Sequence, residues 1–311
     1  MFSTSFVHSE RALCESRWEV ELVKVALFEQ DGGRPGIGMV DGDSIIDFTD
    51  WVGPPQGCTM AAFLDRWGKG DPVPNDGKRI QLADVILLPP SLGSRAVICV
   101  GVNYSDHAQL VAERTGTAVS TRETMPALFL KVWSSLTGHL QPIVRPRVSS
   151  WLDFEGELAV IIGKHCRAVS RENALGVVAG YAVGQDGSVR DWQRQSPTPT
   201  AGKNFFHSGS LGPWMVTADE VPDPADLRIT TTLNGHVMQD SPTSVLIHDV
   251  PALIEHITTF IPLAPGDVIF TGTPAGSFAD CSNDQWLEPG DVVSVTISSI
   301  GTVTNHVIEE T

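Results

Sequence analysis

Residues 153–165 read DFEGELAVIIGKH and place two glutamates against an uninterrupted apolar run. The run at 158–162 is short and rich in β-branched residues, which is typical of a strand buried on both faces. Residues two apart in a strand point the same way, so Glu155 and Glu157 are expected to be neighbours. Carboxylates ~6 Å apart repel by roughly 3 kcal/mol at an effective dielectric of ~20, unless a proton, a cation or solvent intervenes. The stretch therefore predicts either a cation site or a wet strand edge with Lys or Arg partners.

A third acid follows at the end of another apolar strand. Residues 180–193 read GYAVGQDGSVRDWQ, in which Asp186 ends the apolar run and Gly187 permits a tight turn. A helix-capping role is an equally ordinary explanation for this aspartate. Together with the two glutamates it makes an oxygen-only ligand set, which suits Mg²⁺ or Mn²⁺ and, less well, Ca²⁺. Zinc more often binds His or Cys.

Two further segments carry groups that could move protons or stabilise charge. In VGVNYSDHAQLVAERTG, residues 100–116, His107 lies at the start of a predicted helix and could act as a general base. A purely structural histidine is the alternative. In TPTAGKNFFHSGSLGPW, residues 198–214, Lys203 is either a surface charge or a cation directed at a developing oxyanion.

The composition limits the partners and the compartment. Among 311 residues, 21 Lys and Arg against 37 Asp and Glu give a net charge of −16, which disfavours binding to nucleic acid or to an anionic membrane. The five cysteines are scattered and form no C-x-x-C pair, so neither a disulfide framework nor a thiolate zinc site is indicated. No apolar run approaches the ~20 residues that span a bilayer. We therefore expect a soluble, cytoplasmic protein.

The sequence predicts three parts of the chain. Residues 1–19 lack a clear period and are expected to form a flexible N-terminal arm. Residues 20–92 are predicted to form a small N-terminal α+β domain of short strands and turns, which ends near the double proline at 89–90. From 93 to 311 strands outnumber helices and are not regularly separated by them, which favours a mixed, β-rich α+β fold over a doubly wound sheet. LNGH at 233–236 is a strong hairpin signal.

Seven colinear blocks between residues 96 and 308 resemble the fumarylacetoacetate hydrolase superfamily, especially its small acylpyruvase-like and 2-hydroxyhepta-2,4-diene-1,7-dioate isomerase-like members. The blocks are GVNYSDH, FLK, DFEGELAVIIG, GYAVGQDGSVRDWQ, GKNF, LNG and GDVIFTGTPAG. The resemblance implies that residues 93–311, the catalytic domain, fold as the mixed β-sandwich roll of that superfamily's C-terminal domain. It also implies a set of site residues: the metal ligands Glu155, Glu157 and Asp186, the substrate contacts Arg190, Gln193 and Thr273, and the catalytic Lys203.

The reaction implied by the resemblance is hydrolysis of a carbon–carbon bond in a 1,3-dicarbonyl 2-oxo acid, either an acylpyruvate or a ring-fission product. The substrate would chelate Mg²⁺ or Mn²⁺ through its carboxylate and 2-oxo oxygens, and the ion would stabilise the enolate that forms. His107 would take a proton from water. Small hydrolases of the family commonly carry H-x-x-E, but this chain has Leu110 at that place. Glu113, six positions after the histidine, is the candidate for the acid that orients His107.

Two other functions stay open at this point. Without an acid beside His107, water activation weakens, which favours an isomerase, tautomerase or decarboxylase acting on a 2-oxo or 2-hydroxydienoate diacid. A metal-stabilised binding scaffold without turnover is the second alternative. By the same resemblance we expect a homodimer that binds a small 2-oxo acid, with neither nucleic acid nor a membrane as partner.

Overall fold

The computed structural model of the protein describes residues 24–30, 33–53, 58–281 and 285–311; the arm predicted at 1–19 lies outside these ranges. Within them the fold is a mixed, strand-rich α+β fold with open sheets, which confirms the fold class predicted from the sequence. None of the helices in the same ranges has the length and apolar character needed to cross a membrane.

Strands supply most of the regular structure. In chain order they are β1 (Lys24–Glu29), β2 (Gly36–Asp41), β3 (Ser44–Asp47), β4 (Lys78–Gln81), β5 (Ile86–Leu88), β6 (Val97–Gly101), β7 (Ala127–Lys131), β8 (Leu136–Thr137), β9 (Ile143–Arg145), β10 (Leu152–Asp153), β11 (Gly156–Ile162), β12 (Val178–Gln185), β13 (Ser188–Val189), β14 (Gly209–Thr217), β15 (Arg228–Leu233), β16 (His236–Pro242), β17 (Val268–Phe270), β18 (Val292–Ile297) and β19 (Gly301–Glu309).

The helices are fewer and mostly short. The α-helices are α1 (Thr49–Val52), α2 (Met60–Trp67), α3 (Ser105–Thr115), α4 (Arg190–Gln193) and α5 (Val250–Phe260). Single turns and short runs of 3₁₀ helix lie at Leu82–Asp84, Trp133–Ser135, Arg171–Val177, Ala218–Glu220, Thr243–Val245 and Phe278–Asp280. The last of these turns, Phe278–Asp280, contributes to the functional site described below.

A twelve-stranded sheet runs through the molecule in the spatial order β4-β3-β2-β1-β14-β12-β11-β17-β6-β7, with β5 paired to β1 and β8 paired to β14. Most neighbours are antiparallel, whereas β17 and β6 are parallel. The central strand β11 is buried at every residue, as its unbroken apolar sequence predicts. Its two faces pack against two separate apolar clusters, one containing Leu158 and Val160 and the other Ala159 and Ile161.

A smaller five-stranded sheet has the order β16-β15-β18-β19-β9 and covers one face of the large one. The hairpin predicted at LNGH joins β15 to β16, with Leu233 opposite His236. Asn234 and Gly235 form the loop with φ values of 51° and 81°, the left-handed conformation that a two-residue hairpin of this type requires.

The first five strands do not form a sheet of their own. β1 pairs with β14, with Lys24 opposite Val216 and Val25 opposite Met215, so these five strands extend the sheet that carries the site. The domain boundary at 92 stays a prediction from the sequence. Helix α2 lies in this part of the chain, and its N-terminus is capped by Thr59, whose hydroxyl accepts a hydrogen bond from the backbone N–H of Ala62 at 3.1 Å.

Candidate active site

Three buried carboxylates converge where β11 begins and β12 ends. The antiparallel register pairs Gly156 with Gln185, which brings the residues just before β11 next to those just after β12. One oxygen from each of Glu155, Glu157 and Asp186 lies within 4.8 Å of the other two. Glu155 precedes the strand rather than lying in it, but the three side chains predicted as metal ligands do come together.

Cationic side chains surround two of these acids. Lys203 Nζ lies 2.5 Å from Glu155 Oε2 and 2.8 Å from Asp186 Oδ2, so it bridges them. Arg190 Nη1 lies 2.7 Å from Glu155 Oε1. Lys131 Nζ lies 2.8 Å from Asp186 Oδ1, a charge contact rather than an aligned hydrogen bond.

The two glutamates differ in how their charge is balanced. Burial raises the pKa of Glu155, but the charges of Lys203 and Arg190 outweigh this and lower it to about 2. For Glu157, burial and the negative charges of Asp186 and Glu155 raise the pKa well above its ordinary value. Its one described hydrogen bond comes from the backbone N–H of Gly272 at 2.7 Å. Glu157 is therefore the acid of the three whose charge is least compensated.

The ligand set fits a hard divalent cation. Its donors are carboxylate oxygens only, as Mg²⁺ and Mn²⁺ prefer. With all carboxylates ionised, as a bound cation requires, four of them meet three cationic side chains and leave one negative charge in excess: Asp153, Glu155, Glu157 and Asp186 against Lys131, Lys203 and Arg190. Glu155, Glu157 and Asp186 would hold the ion. The bound cation would compensate the charge of Glu157 most, because the other two acids already have cationic partners.

His107 lies on the first turn of α3 and is 8% exposed. Its Nδ1 lies 3.1 Å from a carboxylate oxygen of Asp280. The turn that carries Asp280 reaches the acidic cluster through Ser277, whose hydroxyl lies 3.4 Å from the Arg190 guanidinium that contacts Glu155. The acid beside the histidine is thus Asp280, at the end of the 3₁₀ turn Phe278–Asp280.

The expectation that Glu113 orients His107 was wrong. Glu113 is exposed, and its carboxylate accepts a hydrogen bond from Gln109 Nε2 at 3.1 Å on the solvent side of α3. Six residues correspond to a rotation of about 240° around a helix, which takes Glu113 away from the buried face that carries His107.

Asp280 is held in place by its own turn. Its carboxylate accepts hydrogen bonds from the backbone N–H of Gly276 at 3.0 Å and from the backbone N–H and hydroxyl of Ser277 at 3.2 and 3.1 Å. Burial raises its pKa, but the hydrogen bond and charge of His107, with these donors, lower it overall. Asp280 is therefore an anionic acceptor for His107.

The residues predicted to contact substrate line the same region. Arg190 donates from Nη1 to Gln193 Oε1 at 2.9 Å. Thr273 is 4% exposed, and its Oγ1 accepts a hydrogen bond from Gln239 Nε2 at 2.8 Å. Gln239 in turn accepts from the backbone N–H of Gly156 at 3.0 Å, which ties the Thr273 loop to the start of β11.

Sequence reasoning missed three charged residues of the site, namely Asp153, Lys131 and Asp280. Lys131 ends the apolar strand β7, and a lone lysine in such a strand was a usable signal of a buried cation. Asp280 is the last residue of SFAD at 277–280, a capping-box pattern, and both of its reciprocal hydrogen bonds are present. Asp153 lies two residues before Glu155, but its partners Arg190, Phe278 and Ala279 come from distant parts of the chain.

Comparisons with known proteins identify the family of the chain. Residues 96–308 match the family model described as fumarylacetoacetate (FAA) hydrolase C-terminal. The chain is 32% identical over 296 residues to a mitochondrial oxaloacetate tautomerase, fahd2, of Xenopus laevis, and the match covers 93% of this chain and 90% of that protein.

Two solved structures share the fold. One is a 2-hydroxyhepta-2,4-diene-1,7-dioate isomerase from Mycobacterium marinum, with a TM-score of 0.72 and 33% identity over 93% of this chain and 99% of that one. The other is a maleylpyruvate hydrolase from Sphingobium sp. SYK-6 in complex with a manganese(II) ion and pyruvate, with a TM-score of 0.74 and 31% identity over 93% and 100% of the two chains. The chain therefore belongs to the fumarylacetoacetate hydrolase family, whose members among these relatives include a tautomerase, an isomerase and a hydrolase.

Proposed function

We propose that this protein is an Mg²⁺- or Mn²⁺-dependent hydrolase that cleaves a carbon–carbon bond in an acylpyruvate-type 2-oxo acid. The observation that carries the proposal is the His107–Asp280 pair, whose turn contacts Arg190 beside the acidic cluster. An acid beside the histidine is what hydrolysis needs, because it orients the imidazole to take a proton from water.

The acidic cluster supplies the electrophilic half of the chemistry. A divalent ion held by Glu155, Glu157 and Asp186 would act as a Lewis acid toward the carboxylate and 2-oxo oxygens of the substrate. Lys203 and Arg190 are buried and positively charged beside the same acids, and burial in a low-dielectric site strengthens their effect on developing negative charge. Thr273 retains a hydroxyl proton that it can donate to the substrate carboxylate.

His107 supplies the acid-base half. With Nδ1 hydrogen-bonded to Asp280, Nε2 accepts a proton from water, and the resulting hydroxide adds to the carbonyl carbon farther from the carboxylate. The carbon–carbon bond then breaks, its electron pair goes to the methylene carbon of the pyruvate part, and His107 returns the proton to that carbon. Acetylpyruvate and water would give acetate and pyruvate.

A second candidate is enol–keto tautomerisation of a 2-oxo diacid. It is favoured by the mitochondrial oxaloacetate tautomerase that matches 93% of this chain. The same histidine could move a proton between carbon and oxygen without adding water. Hydrolysis and tautomerisation differ in their products, so they are separable by assay.

The test is product analysis on acetylpyruvate, fumarylpyruvate, oxaloacetate and a 2-hydroxymuconate-type dienoate, each with Mn²⁺, with Mg²⁺ and with EDTA. We expect metal-dependent release of pyruvate from acetylpyruvate, and a fall in kcat of about 100-fold in Asp280→Asn. Glu113→Gln is the matched control and should retain parental kcat, because its carboxylate lies on the solvent side of α3. Metal-dependent loss of the oxaloacetate enol without pyruvate from any acylpyruvate would favour the tautomerase; no turnover of any compound would reject both.

A further inference from the structure

Asp153, the first residue of the DFEGELAVIIGKH stretch, has a contact set that the proposed chemistry does not use. It ends β10, is fully buried, and bears a carboxylate that accepts four hydrogen bonds and makes one further ion-pair contact. On one side Arg190 donates from Nε at 2.8 Å, and its Nη2 lies 2.7 Å away as an ion-pair contact. On the other, the backbone N–H groups of Phe278 and Ala279 donate at 2.9 and 3.0 Å, and the N–H of Phe154 completes the set at 2.9 Å.

The two N–H groups from Phe278 and Ala279 belong to the 3₁₀ turn that ends in Asp280. That turn contacts α3 twice through Asp280: its carboxylate contacts His107, and its backbone carbonyl accepts from Arg114. The turn therefore donates two backbone hydrogen bonds to Asp153 and contacts His107 through the carboxylate of Asp280.

Arg190 connects Asp153 to the acidic cluster. Its guanidinium contacts Glu155 and Asp153 at the same time, and it lies 3.4 Å from the hydroxyl of Ser277 at the start of the turn. A planar guanidinium paired through two nitrogens with a buried carboxylate has a fixed orientation. Short contacts between buried or partly buried groups therefore connect Glu155 to His107. The path runs through Arg190, Asp153, the Phe278–Asp280 turn and the carboxylate of Asp280.

We propose that Asp153 is a positioning residue that couples Arg190 in the acidic cluster to the turn presenting Asp280 to His107. Its carboxylate accepts hydrogen bonds from both partners, so one side chain connects the cluster to the turn of the acid-base pair. The proposal rests on the proposed function in that it takes His107 as the acid-base group, but the alignment of His107 is measurable without turnover.

The chain offers a closely matched control in Asp267. It too is fully buried, and it accepts from two backbone N–H groups, those of Ala96 at 3.1 Å and Ala264 at 2.8 Å, and from Arg95 at 2.9 Å. It precedes β17 and so lies at the opposite end of that strand from Gly272, which contacts Glu157. Asp267→Asn removes the same kind of buried charge without touching the site.

The experiment compares the full-length parent with Asp153→Asn, Asp267→Asn, Asp280→Asn and the double variant of Asp153 and Asp280. ¹⁵N chemical shifts of the imidazoles report which nitrogen of His107 carries the proton, and His107→Gln identifies its signals. We expect protonated Nδ1 in the parent and in Asp267→Asn, and a mixture of tautomers in Asp153→Asn and Asp280→Asn. This measurement needs neither metal nor substrate.

Kinetics on acetylpyruvate with Mn²⁺ give the second readout. We expect kcat to fall at least 10-fold in Asp153→Asn with KM changed less, and the double variant to be no slower than Asp280→Asn alone, because both changes break one alignment. Asp267→Asn should keep kcat within about twofold of the parent, per folded molecule. Asp153→Glu, which keeps the charge but alters its reach, should also lower kcat and serves if Asp153→Asn does not fold.

Three outcomes would overturn the role of Asp153: an unchanged His107 tautomer in both of its variants, effects of the Asp153 and Asp280 changes that multiply, or an equal loss in Asp267→Asn. A parent without turnover on any 2-oxo acid rejects the proposed function instead. In that case the tautomer of His107 alone decides the role of Asp153.

Discussion

Replacing Glu157 by Gln should stabilise the metal-free protein and abolish its stabilisation by metal. At the 4.8 Å limit that separates the ligand oxygens, each pair of like charges costs about 3.5 kcal/mol at an effective dielectric of ~20. Glu157 faces two such neighbours, and partial relief comes from Lys203 and from protonation of the carboxyl. We therefore expect a net gain of about 1–3 kcal/mol in the free energy of unfolding, since the amide oxygen can still accept from Gly272.

The sign of the pH dependence follows from the raised pKa of Glu157. A folded-state pKa above the unfolded value gives a contribution to stability that is present at low pH and is lost as the pH rises through the raised pKa. The difference between variant and parent should thus be small near pH ~3, well below the unfolded-state pKa of ~4.3, where the parent carboxyl is protonated in both states, and largest near pH ~8.

The assay is urea denaturation at several pH values, in EDTA and in MnCl₂. Excess Mn²⁺ at about 100 times its Kd should stabilise the parent by about 2.7 kcal/mol and leave Glu157→Gln unchanged. Glu113→Gln is the control for loss of a carboxylate and should follow the parent in every condition. If Glu157→Gln were less stable than the parent in EDTA at the higher pH, or gained equally from Mn²⁺, the reasoning about uncompensated charge would be refuted.

Three smaller predictions concern the surroundings of the site. Lys131→Met should lower the free energy of unfolding by about 3 kcal/mol in urea, because it removes a buried cation from Asp186. Gly272→Ala should lower the Tm and weaken Mn²⁺ binding measured by calorimetry, since the glycine has φ +99° and an added Cβ would lie 2.8 Å from Asn103 Cβ. Thr59→Ala should cost about 1 kcal/mol through the lost N-cap of α2 while kcat stays at the parental value.

The acidic cluster was predictable from the sequence because its signals are local. Two glutamates lie beside one buried apolar run, and one aspartate lies at the end of another. Side-chain alternation predicts that the glutamates are neighbours, and the ends of the apolar runs show where the strands stop. The expectation that Glu155 lies within the strand was inexact, since β11 begins at Gly156, but the shift of one residue did not separate the acids.

The partner of His107 was not predictable by the same means. Asp280 is 173 residues away in sequence, so only the tertiary fold brings it to α3. Glu113 lies on the same helix as His107, but it shares the solvent-facing side with Gln109. Lys131 and Asp153 are of the same kind: their identities are visible in the sequence, but their partners come from other strands and turns.

The pairing of β1 with β14 has a consequence for how the chain can be shortened. Lys24 and Val25 occupy the hydrogen-bonding edge of β14 opposite Val216 and Met215, and Val25 and Met215 are both fully buried. A truncation that starts at residue 93 would strip this edge and leave open backbone donors and acceptors beside an uncovered apolar surface. An exposed strand edge of this kind forms backbone hydrogen bonds with strands of other molecules. Trimming the protein to its family-matched region would thus be expected to yield aggregates rather than a minimal enzyme.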